Sequence, residues 1–226
     1  QIPYENMHAV SVTGRPWHEL DRALLECRPL IGVLTDHVHT PRAIAKRMME
    51  YHLDKDYTMR VAEHLGNPKK EKLYNIYSIE EISEMSFSCP NCVLLMKAPN
   101  STQQRPALGI PDTKFVLLND RAKMITKAPI RVIDLSLLEL HNSRTFWDIG
   151  ACTGSVSIEA RRQYPHLNIQ AFEVREECKD IIRANARLQS APGIDLHIGN
   201  FLNLPIAEDA IVDAVFIGGH WGQPKK

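Results

Sequence analysis

Apolar positions in the first hundred residues fall into alternating strand-like and helix-like groups. The run AVSV, Ala9 to Val12, reads as a short strand ending at the turn TGRP. In WHELDRALLE, Trp17, Leu20, Leu24 and Leu25 share one helical face. LIGVLTD is a buried-strand run. TPRAIAKRMMEYHL opens with Thr40 as N-cap and Pro41 as first helical residue. YTMRVAEHLG is a strand ending in Gly66. SIEEISEM is a short helix with a capping box at Ser78 and Glu81, and CVLLMK closes this half as a strand.

The pattern breaks at APNSTQQRPALGIPD, Ala98 to Asp112. This stretch is rich in Pro, Ser, Asn and Gln, and predicts a linker running into an N-terminal arm. The expected division is 1–97, a linker at 98–108, and 109–226. Beyond it, TKAPIRVIDLSLLEL predicts a helix with Ile130, Ile133, Leu137 and Leu138 on its apolar face. RTFWDIG, NIQAFEV, IDLHIG and DAVFIGG read as strands, and SVSIEARRQY and REECKDIIRANARLQ as helices. Such alternation predicts right-handed crossovers and a parallel sheet, with both halves α/β.

Composition narrows the partners. The 226 residues carry no formal net charge, so no basic field points to nucleic acid. No apolar run reaches the ~20 residues of a membrane span. The opening QIPYENMHAV has neither the basic start nor the apolar block of a signal peptide. Five cysteines, an odd number lying mostly inside apolar patterns, fit reduced thiols in a cytoplasmic protein.

The chemistry gathers at FWDIGACTGSVSIEA, a strand, a small-residue turn and a helix start. Gly150 and Gly154 free the backbone to approach a ligand, and the helix from Ser155 turns its first N–H groups toward it. Asp148 closes the strand. Glu173 ends the next strand about 20 residues on, where a doubly wound fold puts an acid on ribose hydroxyls. Asn200 ends a third strand, suited to an adenine contact. Cys152 and Ser155 break the dinucleotide pattern G-x-G-x-x-G. The spacing of Asp148, Gly150 and Gly154 instead resembles the S-adenosylmethionine (SAM) turn of Rossmann-like methyltransferases, with Cys152 in place of the middle glycine.

A narrower resemblance covers nearly the whole chain. GIPDTKF, MITKAPIR, WDIGACTGSVSIEA and VFIGGH occur in the order found in the decarboxylating C15-methyltransferases of corrin biosynthesis. VSVTGRP, VLTDHVHTPRAIA and VAEHLG resemble the second subdomain of the C5-methylating tetrapyrrole methylases. The chain thus resembles the fused precorrin-6Y C5,15-methyltransferases (decarboxylating). That resemblance implies half of a tetrapyrrole-methylase fold followed by an incomplete Rossmann-like class I SAM methyltransferase domain. It implies a chain that starts past the N-terminal subdomain and stops after the fourth strand of the second domain. It also implies SAM as cofactor, a precorrin methylated at C5 and C15 with loss of the ring C acetate carboxyl, and possible homo-oligomers.

Carried over by position, Thr126 lies against SAM, Gly150, Ala151, Cys152, Thr153 and Gly154 form the turn, Glu173 takes the ribose, and Phe201 with Asn200 meets the adenine. Gly218 and Gly219 match the substrate side. Arg121, Lys123 and Lys127 are either anchors for a carboxylate-rich substrate or solvated charges. His220 is either a proton carrier or an exposed end. Two rival readings stay open: a SAM methyltransferase with another substrate, and a non-catalytic assembly piece.

Three further signals carry less. Cys89 and Cys92 make a lone Cys-x-x-Cys, half a zinc site or a redox pair, without a second cysteine pair. Asp36, His37 and His39 offer ligand chemistry in a strand-to-helix loop, a place that also suits contact with a methylase site; no metal is expected. The turn Thr13 to Pro16 matches the methylase pattern, with Thr13 where a histidine is expected.

Overall fold

The computed structural model describes residues 4–75, 77–99, 101, 107–205 and 211–218. The chain divides into two compact units, Gln1–Arg105 and Pro106–Lys226. Much of the stretch expected to be a linker lies outside the described residues. No helix among the described residues is long and apolar enough to cross a membrane.

The first unit runs β1 (His8–Ser11), α1 (His18–Leu25), β2 (Leu30–Leu34), α2 (Pro41–Glu50), β3 (Tyr57–Glu63), β4 (Lys72–Tyr74), α3 (Ile79–Glu84) and β5 (Asn91–Lys97). Both predicted helix starts form. The Thr40 hydroxyl accepts from the Ala43 N–H at 3.2 Å. Ser78 and Glu81 bond each other's backbone reciprocally. The alternation in β3 sends Tyr57, Met59 and Val61 inward and leaves Thr58 and Arg60 exposed.

The sheet is not parallel throughout, which corrects the expectation for this half. Its order is β1-β2-β5-β3-β4. β1 and β2 are parallel, whereas β2–β5, β5–β3 and β3–β4 are antiparallel. The cause is β4, a three-residue edge strand with no buried side chain. It folds back on β3 and reverses the chain, so β5 leaves α3 pointing against β2 and β3 and inserts between them.

The second unit runs α4 (Ala128–Leu137), β6 (Thr145–Ile149), α5 (Ser155–Gln163), β7 (Asn168–Glu173), α6 (Cys178–Leu188), β8 (Ile194–Ile198) and β9 (Ala214–Ile217). Its sheet order is β8-β7-β6-β9, and every pair is parallel. Numbered within the unit this is 3-2-1-4, the order of a doubly wound sheet around its switch point. Leu135, Val156 and Ala160 pack with Phe146, Ile169 and Ala214, and Ile182 packs with Ala171. Thus α4, α5 and α6 all cover one face. The other face carries Trp147, Ile149 and Phe172, with Val215 and Ile217 exposed.

Helix α4 turns most of its expected apolar face outward. Ile130, Ile133 and Leu137 are exposed, Leu138 of that face packs against the core, and Arg131 and Leu135 are fully buried. The inward stripe is set by a charge rather than by hydrophobicity. The Arg131 guanidinium meets Glu159 of α5 at 3.2 Å and Asp112 at 2.9 Å, and burying it with its partners fixes the rotation of the helix.

Candidate functional site

Because the four strands of the second unit run the same way, the loops after them meet at one edge. A cavity of about 790 Å³ opens there. Its walls are Gly150–Thr153 after β6, Glu173–Arg175 after β7, Gly199–Leu202 after β8, Gly218 after β9, and Lys123–Thr126 from the arm preceding α4.

The turn after β6 holds three left-handed residues, Gly150 (φ 82), Cys152 (φ 50) and Gly154 (φ 73). Cys152 adopts this backbone despite its side chain because both of its polar groups are used. Its N–H donates to Glu173 Oε2 at 2.8 Å, and its buried thiol donates to the Met124 carbonyl at 3.0 Å. The thiol therefore ties the arm to the turn. Gly154 serves packing: a Cβ there would stand 3.0 Å from Ile182 of α6. At Gly218 a Cβ would come within 3.1 Å of the Gly150 carbonyl, so a larger residue would crowd the turn where the end of β9 passes it.

The two strand-end acids differ. Asp148 is 1% exposed and is absent from the cavity wall. Its Oδ2 accepts from the Ser157 N–H at 3.1 Å and the Ser157 hydroxyl at 2.5 Å, and its Oδ1 has no partner. Burial, helped by the nearby charge of Glu173 and opposed by the Ser157 bonds, pushes its carboxyl up to about 6. Asp148 thus pins α5 beneath the turn rather than facing a ligand, because its side chain points into the packed face of the sheet. Glu173 does line the cavity. Burial raises its carboxyl, but the side chain and N–H of Arg175 and the N–H of Cys152 outweigh burial and hold it below the usual carboxylate range.

The arm is fixed from behind. Arg131 donates to the carbonyls of Thr126 and Ile110, and the Glu159 carboxylate accepts from the N–H groups of Gly109 and Ile110. Thr126 therefore reaches the wall with its backbone clamped. Lys123 also lines the cavity. Arg121 and Lys127 do not; Lys127 Nζ is turned back to the Ala122 carbonyl at 2.6 Å and to Asp112 at 3.5 Å.

At the far wall, the Asn200 side chain accepts from the Leu202 N–H at 3.1 Å. Phe201 packs edge-on against Phe172, with ring centroids 5.0 Å apart. Thr153 is buried, and its Oγ1 has no partner. Gly219 and His220 lie outside the described residues. Arg131, Glu159 and Arg175 went unseen in the sequence; a cation inside the apolar run PIRVI was the available signal for the first.

In the first unit, Asp36 caps its own loop. It accepts from the N–H groups of Gly14, Val38 and His39 at 2.8, 2.8 and 2.5 Å. Cys89 and Cys92 are not joined by a disulfide, and neither are the other three cysteines.

A glycine turn and a buried acid thus meet at the C-terminal edge of a parallel sheet. Residues 118–225 match the precorrin methyltransferase domain family. The chain is 38% identical over 98 residues to the cobalt-precorrin-6B C(15)-methyltransferase (decarboxylating) of Salmonella typhimurium, covering 43% of this chain and 50% of that protein. It is 28% identical over 213 residues to the precorrin-6Y C(5,15)-methyltransferase [decarboxylating] of Sinorhizobium sp, covering 93% of this chain and 49% of that protein. A crystal structure of precorrin-6y C5,15-methyltransferase from Geobacter metallireducens aligns at 36% identity and a TM-score of 0.45, over 53% of this chain and 61% of that one. The chain spans about half the length of the curated relatives it matches.

Proposed function

We propose that this chain is part of a SAM-dependent decarboxylating precorrin methyltransferase. In this reading its second unit is the C15-methylating and decarboxylating domain, acting in cobalamin biosynthesis, and its first unit is the C-terminal subdomain of the C5-methylating half. The observation that carries the reading is the cavity at the parallel edge, whose wall includes Thr126, Gly150–Thr153, Glu173, Asn200 and Phe201, though not Asp148 or Gly154, of the residues expected at the cofactor. Similarity to the fused relatives runs through both units.

The cavity fits the cofactor on its own evidence. Its volume of about 790 Å³ lies within the roughly 300–1,000 Å³ of small-molecule sites. It offers an unpartnered Thr153 hydroxyl, a carboxylate at Glu173 and an aromatic wall at Phe172 and Phe201. Gly150–Thr153 and Thr126 would hold the amino-acid portion, Glu173 the ribose, and Asn200 and Phe201 the adenine. When bound, SAM supplies an electrophilic methyl on a sulfonium whose leaving group needs no acid. The residues of the chain therefore position and desolvate. Cys152 and Arg131 hold the arm, and Lys123 stands ready for a substrate carboxylate.

The test is mass spectrometry of a precorrin-6B-type corrinoid incubated with the protein and methyl-labelled SAM. The reading expects a product that has gained one labelled methyl and lost carbon dioxide. Labelled product that keeps its carboxyl, or no product from a protein that binds both ligands, contradicts it.

A further inference from the structure

Arg175 occupies the acid that the proposed cofactor needs. A carboxylate has about four acceptor positions, and Glu173 has four donors. Oε1 accepts from the Arg175 N–H at 3.0 Å and from Arg175 Nε at 2.9 Å. Oε2 accepts from the Cys152 N–H at 2.8 Å and from Arg175 Nη2 at 3.2 Å. Two of these donors belong to the backbone and cannot leave without unmaking the turn. The other two belong to one side chain, which is 20% exposed and also lies against the Cys152 thiol, whereas the Glu173 side chain is 1% exposed.

We propose that Arg175 is a displaceable plug of the sugar subsite: a nucleoside's ribose diol reaches Glu173 only when the guanidinium leaves it, so Arg175 sets affinity and selectivity for diol-bearing nucleosides. The inference rests on the reading of this cavity as a nucleoside site. The diol brings two hydroxyl donors, matching the two that Arg175 withdraws, while the N–H groups of Cys152 and Arg175 keep the carboxylate in place. Trading a charge-assisted bidentate pair for neutral hydroxyls is unfavourable, so the plug lowers affinity and favours ligands that supply both hydroxyls.

The test is calorimetric titration of the full chain, wild type, Arg175→Ala, Arg175→Met and Glu173→Gln, with adenosine, 2′,3′-dideoxyadenosine and S-adenosylhomocysteine, with folding checked by circular dichroism. Both Arg175 variants keep the backbone donor. They are expected to bind adenosine and S-adenosylhomocysteine about ten- to a hundredfold more tightly than wild type, with dideoxyadenosine unchanged. A merely structural effect would move all three ligands together and overturns the proposal. So does unchanged or weaker binding of the diol ligands by folded variants. If wild type binds and Glu173→Gln weakens it while the Arg175 variants do not tighten, the plug fails and the cofactor reading stands. If neither wild type nor the Arg175 variants bind any of the three, the cofactor reading fails and the plug with it. Should both Arg175 variants misfold, the Nε–H resonance of Arg175 in the wild-type protein decides. It is expected to shift when S-adenosylhomocysteine saturates the site, and an unmoved resonance overturns the proposal.

Discussion

The two sheets of this chain come from similar patterns of alternating strands and helices, yet they present their loops differently. In the second unit every strand pair is parallel, so four loops converge on one edge and form a cavity. In the first unit the short strand β4 reverses the chain, and strand ends are divided between opposite edges. Its parallel pair, β1 and β2, still joins two loops through Gly14 and Asp36, but that carboxylate is filled by backbone donors. The difference teaches that strand direction, more than the identity of a polar residue at a strand end, decides whether such residues can act together.

The carboxylates sharpen the contrast. Backbone N–H groups of Gly14 and His39 depress Asp36, whereas burial raises Asp148 to about 6. Both end up structural: one caps a loop, the other pins a helix. Glu173 lies between these extremes, buried yet richly supplied with donors, and it alone of the three lines the cavity.

The largest expected effect tests how the arm is held. Arg131→Ala leaves Glu159 and Asp112 without their cation, and denaturant unfolding of the second unit should show a loss of about 3–5 kcal/mol. Asp21→Ala in the first unit, which removes the partner of Arg47 at 2.6 Å, should cost less. Arg47 keeps its stacking on Trp17 and Tyr51 and is partly exposed. Equal losses would break the comparison.

A smaller effect follows from Asp148. Its folded carboxyl titrates near 6, above the usual 3.8, so the folded state holds the proton more tightly. That contribution is fully present below about 3.8 and is lost as pH rises through about 6, up to about 3 kcal/mol in all. Asp148→Asn should flatten this decline in unfolding experiments between pH 4 and 6.5. An unchanged slope would mean that the charge is not buried as described. The smallest effect concerns the outward face of α4: Leu137→Ala should change stability by no more than about 0.5 kcal/mol, and a core-sized loss would restore the face predicted from the sequence.

What the sequence revealed was mostly local. The cap at Thr40, the capping box at Ser78 and Glu81, and the glycine turn before Ser155 are short-range hydrogen-bond or backbone requirements, and they are written in adjacent residues. What stayed hidden depended on partners distant in sequence. Lys72–Tyr74 has no buried side chain to mark it as a strand. The apolar spacing of Ile130, Ile133 and Leu137 describes a face but not its direction, and the buried ion pair of Arg131 with Glu159 turned it outward. Asp148 looked like a ligand-facing acid because a glycine turn follows it; its partner, Ser157, lies beyond that turn, in the first turn of α5.

The central claim is that the parallel edge of the second unit holds SAM. Calorimetric titration of SAM into the chain and its Glu173→Gln variant tests it most directly. The account predicts one saturable site per chain, weakened about tenfold or more by the substitution. A folded chain that takes up no SAM, or one whose affinity is indifferent to Glu173, would contradict it.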